Sequence, residues 1–311
     1  MLLANKLNYG DTIGVVGVSN SLQRNVNTED LFYQGEKFLQ SKGFKIKRGK
    51  YVLENHYGSA GTREQKAEDF MNMFQDDEVK AIICLLGGQT CNTFIDLLDY
   101  EIIKQHPKIL VGYSDITVLL QVLQQKTGLV TFHGPDFINY GEETAEERWM
   151  EFENVFIHKN IQKFYQGEKK IIKEGKNKQI IGKSIGTNLG SMMYLIGTQY
   201  FPDMTDKILF MESFRTSPDE CERRFEHLRL AGVFDKVKAV VIGYNYDLQK
   251  NGDTYPQMED VLLAYTKQYD FPIIKCNDFG HKIANCVIPV GVDTKIDIEN
   301  KKIEFVGEFL K

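Results

Sequence analysis

Apolar residues along the chain fall into short unbroken runs that alternate with stretches of helical spacing. "TIGVVGV" (Thr12 to Val18) is a run of the kind a strand buried on both faces needs. "DLFYQGEKFLQSKG" then sets Leu31, Phe32, Phe38 and Leu39 at helical spacing before Gly43 stops it. "FKIKRG" reads as a strand. "TREQKAEDFMNMFQD" opens with Thr62 and, three positions on, Gln65, which predicts a capping box. Its Ala67, Phe70, Met71 and Phe74 predict one buried face.

The alternation continues through "VKAIICLLGG" as a strand, "TCNTFIDLLDY" as a short helix, "KILVGY" as a strand, "DITVLLQVLQQKTG" as a helix and "LVTFHG" as a strand. Repeated β-α alternation predicts a mostly parallel sheet with helices on both faces. "GEETAEERWMEFENVFI" adds a helix, and the lysine-rich stretch from Lys159 to Lys183 shows little apolar periodicity. Beyond it come "KILFMES" (strand), "PDECERRFEHLRLAG" (helix with proline in its first turn), "VKAVVIG" (strand) and "MEDVLLAYTKQYD" (helix). The tail "CVIPVGVDTKIDIENKKIEFVGE" alternates apolar and polar residues around a turn at Asn300, as in a small antiparallel or mixed sheet. The expected architecture is α/β: a mostly parallel N-terminal sheet over 1–165, a linker over 166–183, and a smaller C-terminal α/β domain over 184–311.

Composition narrows what such a protein does. At 311 residues with 42% hydrophobic positions, the chain suits two cores. A net charge of −5, with basic residues dispersed, provides no field for nucleic acid or anionic lipid. No apolar run approaches the roughly 18 to 20 residues of a membrane span, and "MLLANKLNYGD" lacks the features of a signal peptide. A soluble cytoplasmic protein is expected. The five cysteines lack CxxC spacing, and with no HExxH, clustered His/Cys set or Walker loop, no metal or cofactor is expected.

Ligands of parallel sheets bind beyond the carboxyl ends of the strands, which singles out "LLGGQT" and "VGYSDIT". A serine on a tight strand-to-helix turn has a lifted hydroxyl, and the helix start offers free N–H groups. Ser114 or Asp115 as a helix N-cap is nevertheless the commoner arrangement, and Ile116 stands where an elbow usually has glycine. A nucleophilic serine needs a histidine and a carboxylate. His281, on the glycine-hinged "CNDFGHKIANC", and His133, at a strand end in "TFHGP", are the candidate bases. Glu212 ends the apolar strand "KILFMES", a costly place for an unpartnered acid. "LLGGQT" as a phosphate loop is a weaker alternative, lacking a lysine-serine continuation.

"GGQTCNTFIDLLDYEIIKQHPKILVGYSDIT", "TFHGP", "IGTNLGSMMYLIGT", "LRLAGVFDKVKAVVIG" and "DFGHKIANCVIPVGV" together resemble the serine peptidase family of LD-carboxypeptidases and microcin C self-immunity peptidases. The likeness covers nearly the whole chain in matching order. It implies a serine-type hydrolase with a triad of Ser114, Glu212 and His281. It also implies an oxyanion hole from the backbone N–H groups of Gly88 and Asp115, a site between two domains, and a homodimer.

Two substrate classes follow from the resemblance. One is a murein tetrapeptide cut at its L,D-bond to release D-alanine, and the other is a peptidyl-nucleotide amide. The second branch is expected to stack an aromatic on adenine. The only tryptophan is Trp149, outside the linker, which leaves Phe164 or Tyr165 for stacking and favours the murein reading, while "ESFRTSPDECERRFEHL" leans toward the other. Arg223 and Arg224 are candidates for an anionic substrate, although paired arginines on a helix usually form a solvated face. A non-catalytic binding protein of the same fold is the reading from another class.

Overall fold

The computed structural model describes residues 1–24, 28–161, 164 and 167–311. It divides into two compact units. The first comprises 1–161 with 287–289 and 309–311, and the second 162–286 with 290–308. The domain boundary expected at 165–166 lies outside the described residues.

The first unit is built on β1 (Thr12–Val16), β2 (Lys45–Arg48), β3 (Val79–Cys84), β4 (Ile109–Gly112) and β5 (Thr131–His133), together with β11 (Ile288–Val290) from late in the chain. The sheet order is β11-β5-β4-β3-β1-β2, and every pair from β2 to β5 is parallel. Ile13, Val15, Ile82, Ile83, Leu110 and Val111 are fully buried, as two-sided coverage requires. The exposed edge strand β2 is polar, and its Arg48 pairs with Glu36, which shields that edge from further strand pairing.

Helices α1 (Thr28–Ser41), α2 (Arg63–Gln75), α3 (Tyr100–Gln105), α4 (Thr117–Thr127) and α5 (Ala145–Phe156) connect and cover these strands. The capping box at Thr62 and Gln65 is formed. Phe70, Met73 and Phe74 are buried in α2, whereas the expected Met71 is only half-buried. Residues 91–97 hold two 3-10 turns rather than the expected helix, because Thr93 Oγ bonds back to the Thr90 carbonyl and competes with the helical pattern. The α-helix begins only where Asp99 caps Glu101 and Ile102.

The second unit holds β6 (Lys169–Lys173), β7 (Gln179–Asn188), α6 (Leu189–Met192), β8 (Lys207–Ser213), α7 (Pro218–Leu230), β9 (Ala239–Asn245), α8 (Tyr246–Lys250), α9 (Met258–Tyr265), β10 (Ile273–Gly280), β12 (Asp293–Asp297) and β13 (Lys302–Phe305). Its sheet runs β13-β12-β7-β8-β9-β10-β6. Strands β7 to β10 are parallel, and the outer pairs on both sides are antiparallel. The mixed sheet expected for the tail is this one: the hairpin turns where Asn300 N–H donates to Asp297 Oδ1, 2.9 Å away. Leu209, Met211, Val240 and Ile242 form its core with Phe225, Leu228 and Leu262.

The segment read as a linker, 166–183, contains the edge strand β6 and the start of β7. Its lysines disguised it. Lys169 Nζ donates to the Gly167 carbonyl and to Asp278 Oδ2, each at 2.8 Å, and Lys173 Nζ donates to the Thr266 carbonyl at 2.7 Å. Their aliphatic stems lie in the fold while the ammonium groups end on oxygens.

Candidate active site

In the first unit, β3 and β4 end side by side, and the chain leaves β4 through an extended Tyr113 into Ser114, whose φ is +60°. A serine in the left-handed region carries strain, which places it on a tight turn rather than in an ordinary helix cap. A 3-10 turn, Ser114–Ile116, leads into α4. A side chain at Gly87 would put its Cβ 2.8 Å from Ser114 Cβ, so the turn after β3 touches the serine only because it is glycine. At Gly88, φ is +158° and a Cβ would stand 2.3 Å from Asn20 Cγ. The Gly88 N–H donates to no group among the described residues.

Two buried acids fix these turns. Asp136 takes the Gly87 N–H on Oδ2 at 2.8 Å and the Tyr113 N–H on Oδ1 at 3.2 Å, tying both strand ends to one carboxylate. Burial pushes its pKa well above the ordinary range. Asp115 accepts from Ser19 Oγ at 2.5 Å and from Cys91 N–H at 2.8 Å. Burial raises its pKa too. Lys66 Nζ, also buried, holds the Thr90 carbonyl at 3.1 Å and hydroxyl at 2.9 Å, anchoring the far side of the glycine turn. With Gly87 N–H committed to a carboxylate and a second acid beside it, "LLGGQT" is a poor cradle for phosphate.

In the second unit, Glu212 ends β8 fully buried, opposite Asn188 in the register of β7. Asn188 Nδ2 donates to Glu212 Oε1 at 2.8 Å, while Asn188 Oδ1 accepts from Ser191 N–H and Oγ, each at 3.0 Å. The other oxygen, Oε2, lies 2.6 Å from His281 Nδ1. A buried carboxylate there makes Nδ1 the donor and leaves Nε2 as the basic nitrogen. Gly280 permits the loop: φ is +138° and a Cβ would lie 2.3 Å from the Tyr244 carbonyl oxygen. The Phe214 ring stacks on the imidazole, centroids 4.8 Å apart at 11°.

Ser114, Asp115 and Gly88 thus cluster in one unit, and Glu212 and His281 are in contact in the other. His133 is fully buried on β5 with its ring edge-on to Tyr113, 6.0 Å between centroids. Arg223 and Arg224 both pair with Glu220; Arg223 is exposed, as on a solvated helix face, whereas Arg224 is largely covered and donates to Thr216 Oγ1 at 3.0 Å. Phe164 is fully buried between Phe210 and Phe305, so it is core and not a stacking platform. Trp149 is 6% exposed, packed on Phe152 and Phe44. Tyr165 lies outside the described residues.

Sequence reasoning passed over Asp136, Asn188, Ser19 and Lys66. The available signal was position: Asp136 follows "HGP" at a strand end, and Asn188 closes the apolar β7.

Comparison with known proteins gives the class. Residues 13–134 match the LD-carboxypeptidase N-terminal domain and residues 181–296 the LD-carboxypeptidase C-terminal domain. The chain belongs to the LD-carboxypeptidase family of peptidases, and is a hydrolase by that membership. It is 31% identical to the microcin C7 self-immunity protein MccF of Escherichia coli, over 99% of this chain and 97% of that protein. It is 28% identical to a probable murein peptide carboxypeptidase of Bacillus subtilis, over 95% and 91% of the two chains. A structure of MccF in complex with glutamyl sulfamoyl guanosine superposes with a TM-score of 0.89 at 28% identity, covering all of both chains.

Proposed function

We propose that this chain is a serine-type carboxypeptidase that cuts an amide bond by acyl transfer, with Ser114 as nucleophile, His281 as base and Glu212 as the carboxylate that orients it. The observation that carries the reading is the buried Glu212–His281 pair at 2.6 Å, a carboxylate at the end of an apolar strand committed to a histidine on a neighbouring turn. His281 Nε2 takes the Ser114 proton as the hydroxyl attacks the carbonyl, and Glu212 stabilises the imidazolium. The N–H groups of Gly88 and Asp115 receive the oxyanion. His281 then protonates the leaving nitrogen, and water releases the acyl group by the same route in reverse.

The substrate in this reading is a murein tetrapeptide, cut at the L,D-bond to release D-alanine. It is supported by the likeness to the B. subtilis protein and by the burial of Phe164, one of the two candidates for a nucleobase platform, while the single tryptophan, Trp149, is packed in the first unit. A second reading, hydrolysis of a peptidyl- or aminoacyl-nucleotide amide, is favoured by the identity to MccF along nearly the full length of both chains. Purified protein assayed in parallel on an L,D-linked tetrapeptide and an aminoacyl sulfamoyl adenosine separates them. D-alanine release alone is the expected outcome, and cleavage of the adenosine compound alone replaces the first reading with the second. An active-site serine probe that labels Ser114→Ala as well as the parent chain sinks the nucleophile in both, and absence of any turnover or labelling leaves a binding protein.

A further inference from the structure

Two cations stand against the Phe214 ring, which stacks on the His281 imidazole, and neither is ion-paired among the described residues. The Arg215 guanidinium carbon lies 5.1 Å and Lys282 Nζ 5.7 Å from the centroid of the Phe214 ring, the ring that stacks on His281. Both side chains belong to exposed residues, and neither has a carboxylate within ion-pair distance among the described residues. The acids nearest along the chain are engaged otherwise or turned elsewhere. Glu212 is bonded to His281 and Asn188, Glu220 pairs with Arg223 and Arg224, and Asp219 sits in the first turn of α7. Unpaired surface lysines are common and carry no message alone. These two differ by converging, from separate strand ends, on the ring that backs the base. Lys282 is also held at φ +64°, a strained conformation for a side-chain-bearing residue, directly after His281.

We infer that Arg215 and Lys282 form an anion subsite for the leaving-group side of the substrate, a deepening that rests on the amide-hydrolase reading above. The chemistry fixes the side. His281 protonates the leaving nitrogen, so that nitrogen comes within hydrogen-bond reach of the imidazole. In a peptide ending in a free carboxylate, the carboxylate is separated from this nitrogen by a single carbon. In an acyl sulfamoyl or phosphoryl nucleotide the acidic group is attached to the nitrogen itself. Either way an anionic group arrives beside His281 and the Phe214 ring that backs it, the ring on which Arg215 brings a planar fork of donors and Lys282 a compact charge. The shared ligand chemistry is an anionic oxygen group next to the scissile amide. A preference for substrates whose leaving amine carries such a group follows.

The test is equilibrium binding by calorimetry in the Ser114→Ala background. Two probes differ only at their end, an L,D-linked tetrapeptide with a free carboxylate and the same peptide as its carboxamide. Each is titrated into Ser114→Ala and into Ser114→Ala/Arg215→Ala/Lys282→Ala, with matched thermal midpoints confirming that both proteins are folded. The carboxylate is expected to bind about 10- to 100-fold more tightly than the amide, the range of charge-assisted hydrogen bonds, and this preference is expected to collapse in the triple variant. Arg215→Lys is expected to keep part of it. An equal preference in both proteins overturns the subsite, and leaves the hydrolase reading standing if the parent chain cleaves the peptide. If neither peptide binds, the murein reading fails, and aminoacyl sulfamoyl adenosine takes their place. A loss of tenfold or more for that ligand in the triple variant supports the subsite with a nucleotide-type ligand. Unchanged affinity, or no binding of any probe, overturns it.

Discussion

His281 Nδ1 and Glu212 Oε2 lie 2.6 Å apart, and the second oxygen of that carboxylate is held by Asn188 Nδ2. This arrangement dictates how a substitution at 212 behaves. In Glu212→Gln, Asn188 demands an acceptor, so the new carbonyl oxygen turns toward Asn188 and the new amide NH₂ toward the imidazole. Nδ1 is then forced to accept, the proton moves to Nε2, and the base proposed for the reaction is lost. Turnover is expected to fall by about 10⁴-fold, the loss seen when a triad carboxylate is made an amide, with KM little changed. A steady-state assay showing less than a tenfold loss removes Glu212 from the mechanism.

In the proposed mechanism Asp115 contributes its backbone N–H, and its side chain has a second role in the fold. Its carboxylate joins Ser19 Oγ to the Cys91 N–H and so braces the loop that carries Gly88. Asp115→Asn keeps an acceptor for both partners, and burial already disfavours the charge. Activity is expected to stay within about tenfold of the parent chain. Asp115→Ala releases the loop and is expected to lose about 10²-fold, while Ser114→Ala loses on the order of 10⁴-fold or more. Rates of D-alanine release from the three variants check the order, and an Asp115→Asn protein as inactive as Ser114→Ala breaks it.

Phe164, a stacking candidate by sequence, and Trp149, the single tryptophan, are both core residues. Phe164 packs on Phe210 and Phe305, and Trp149 on Phe44 and Phe152. Truncation of either to alanine opens a core cavity and is expected to cost about 3 to 5 kcal/mol. In protein that remains folded, KM is expected to hold. Urea denaturation and kinetics on the same samples check this, and a raised KM at unchanged stability returns the residue to the substrate.

What could be read from sequence follows a physical divide. Runs such as Ile13 to Val16 and Ile82 to Cys84 announced the parallel strands because burial on both faces leaves no other composition open. Strand β6 was hidden because its lysines end on carbonyls and Asp278, contacts that exist only after distant segments meet. The same limit governs the site. Glu212 stood out as an acid ending an apolar strand, and His281 as a histidine on a glycine hinge, yet their contact spans 69 positions of sequence. Asp136 and Asn188 looked like ordinary strand-end polar residues, since what sets them apart is which N–H or carboxylate they meet.

The stretch that opens β4 contains a further buried charge with a pH signature. Lys108 is 7% exposed, donates to the Met73 carbonyl at 2.9 Å and to the Asp76 carbonyl, and burial lowers its pKa from an ordinary 10.5 to about 8. Between those values the unfolded chain binds a proton that the folded chain has released. Stability therefore rises with pH across this window, and the contribution is lost as pH falls through about 8. Integrated from pH 7.5 to 10, the lysine adds about 2 kcal/mol of pH-dependent stability. Lys108→Met removes that dependence, whatever constant offset it introduces by leaving the two carbonyls unbonded. Urea denaturation of both proteins at pH 7.5 and 10 is expected to show the parent gaining on the variant by that amount, and a gap that stays constant between the two pH values shows that Lys108 keeps its ordinary pKa.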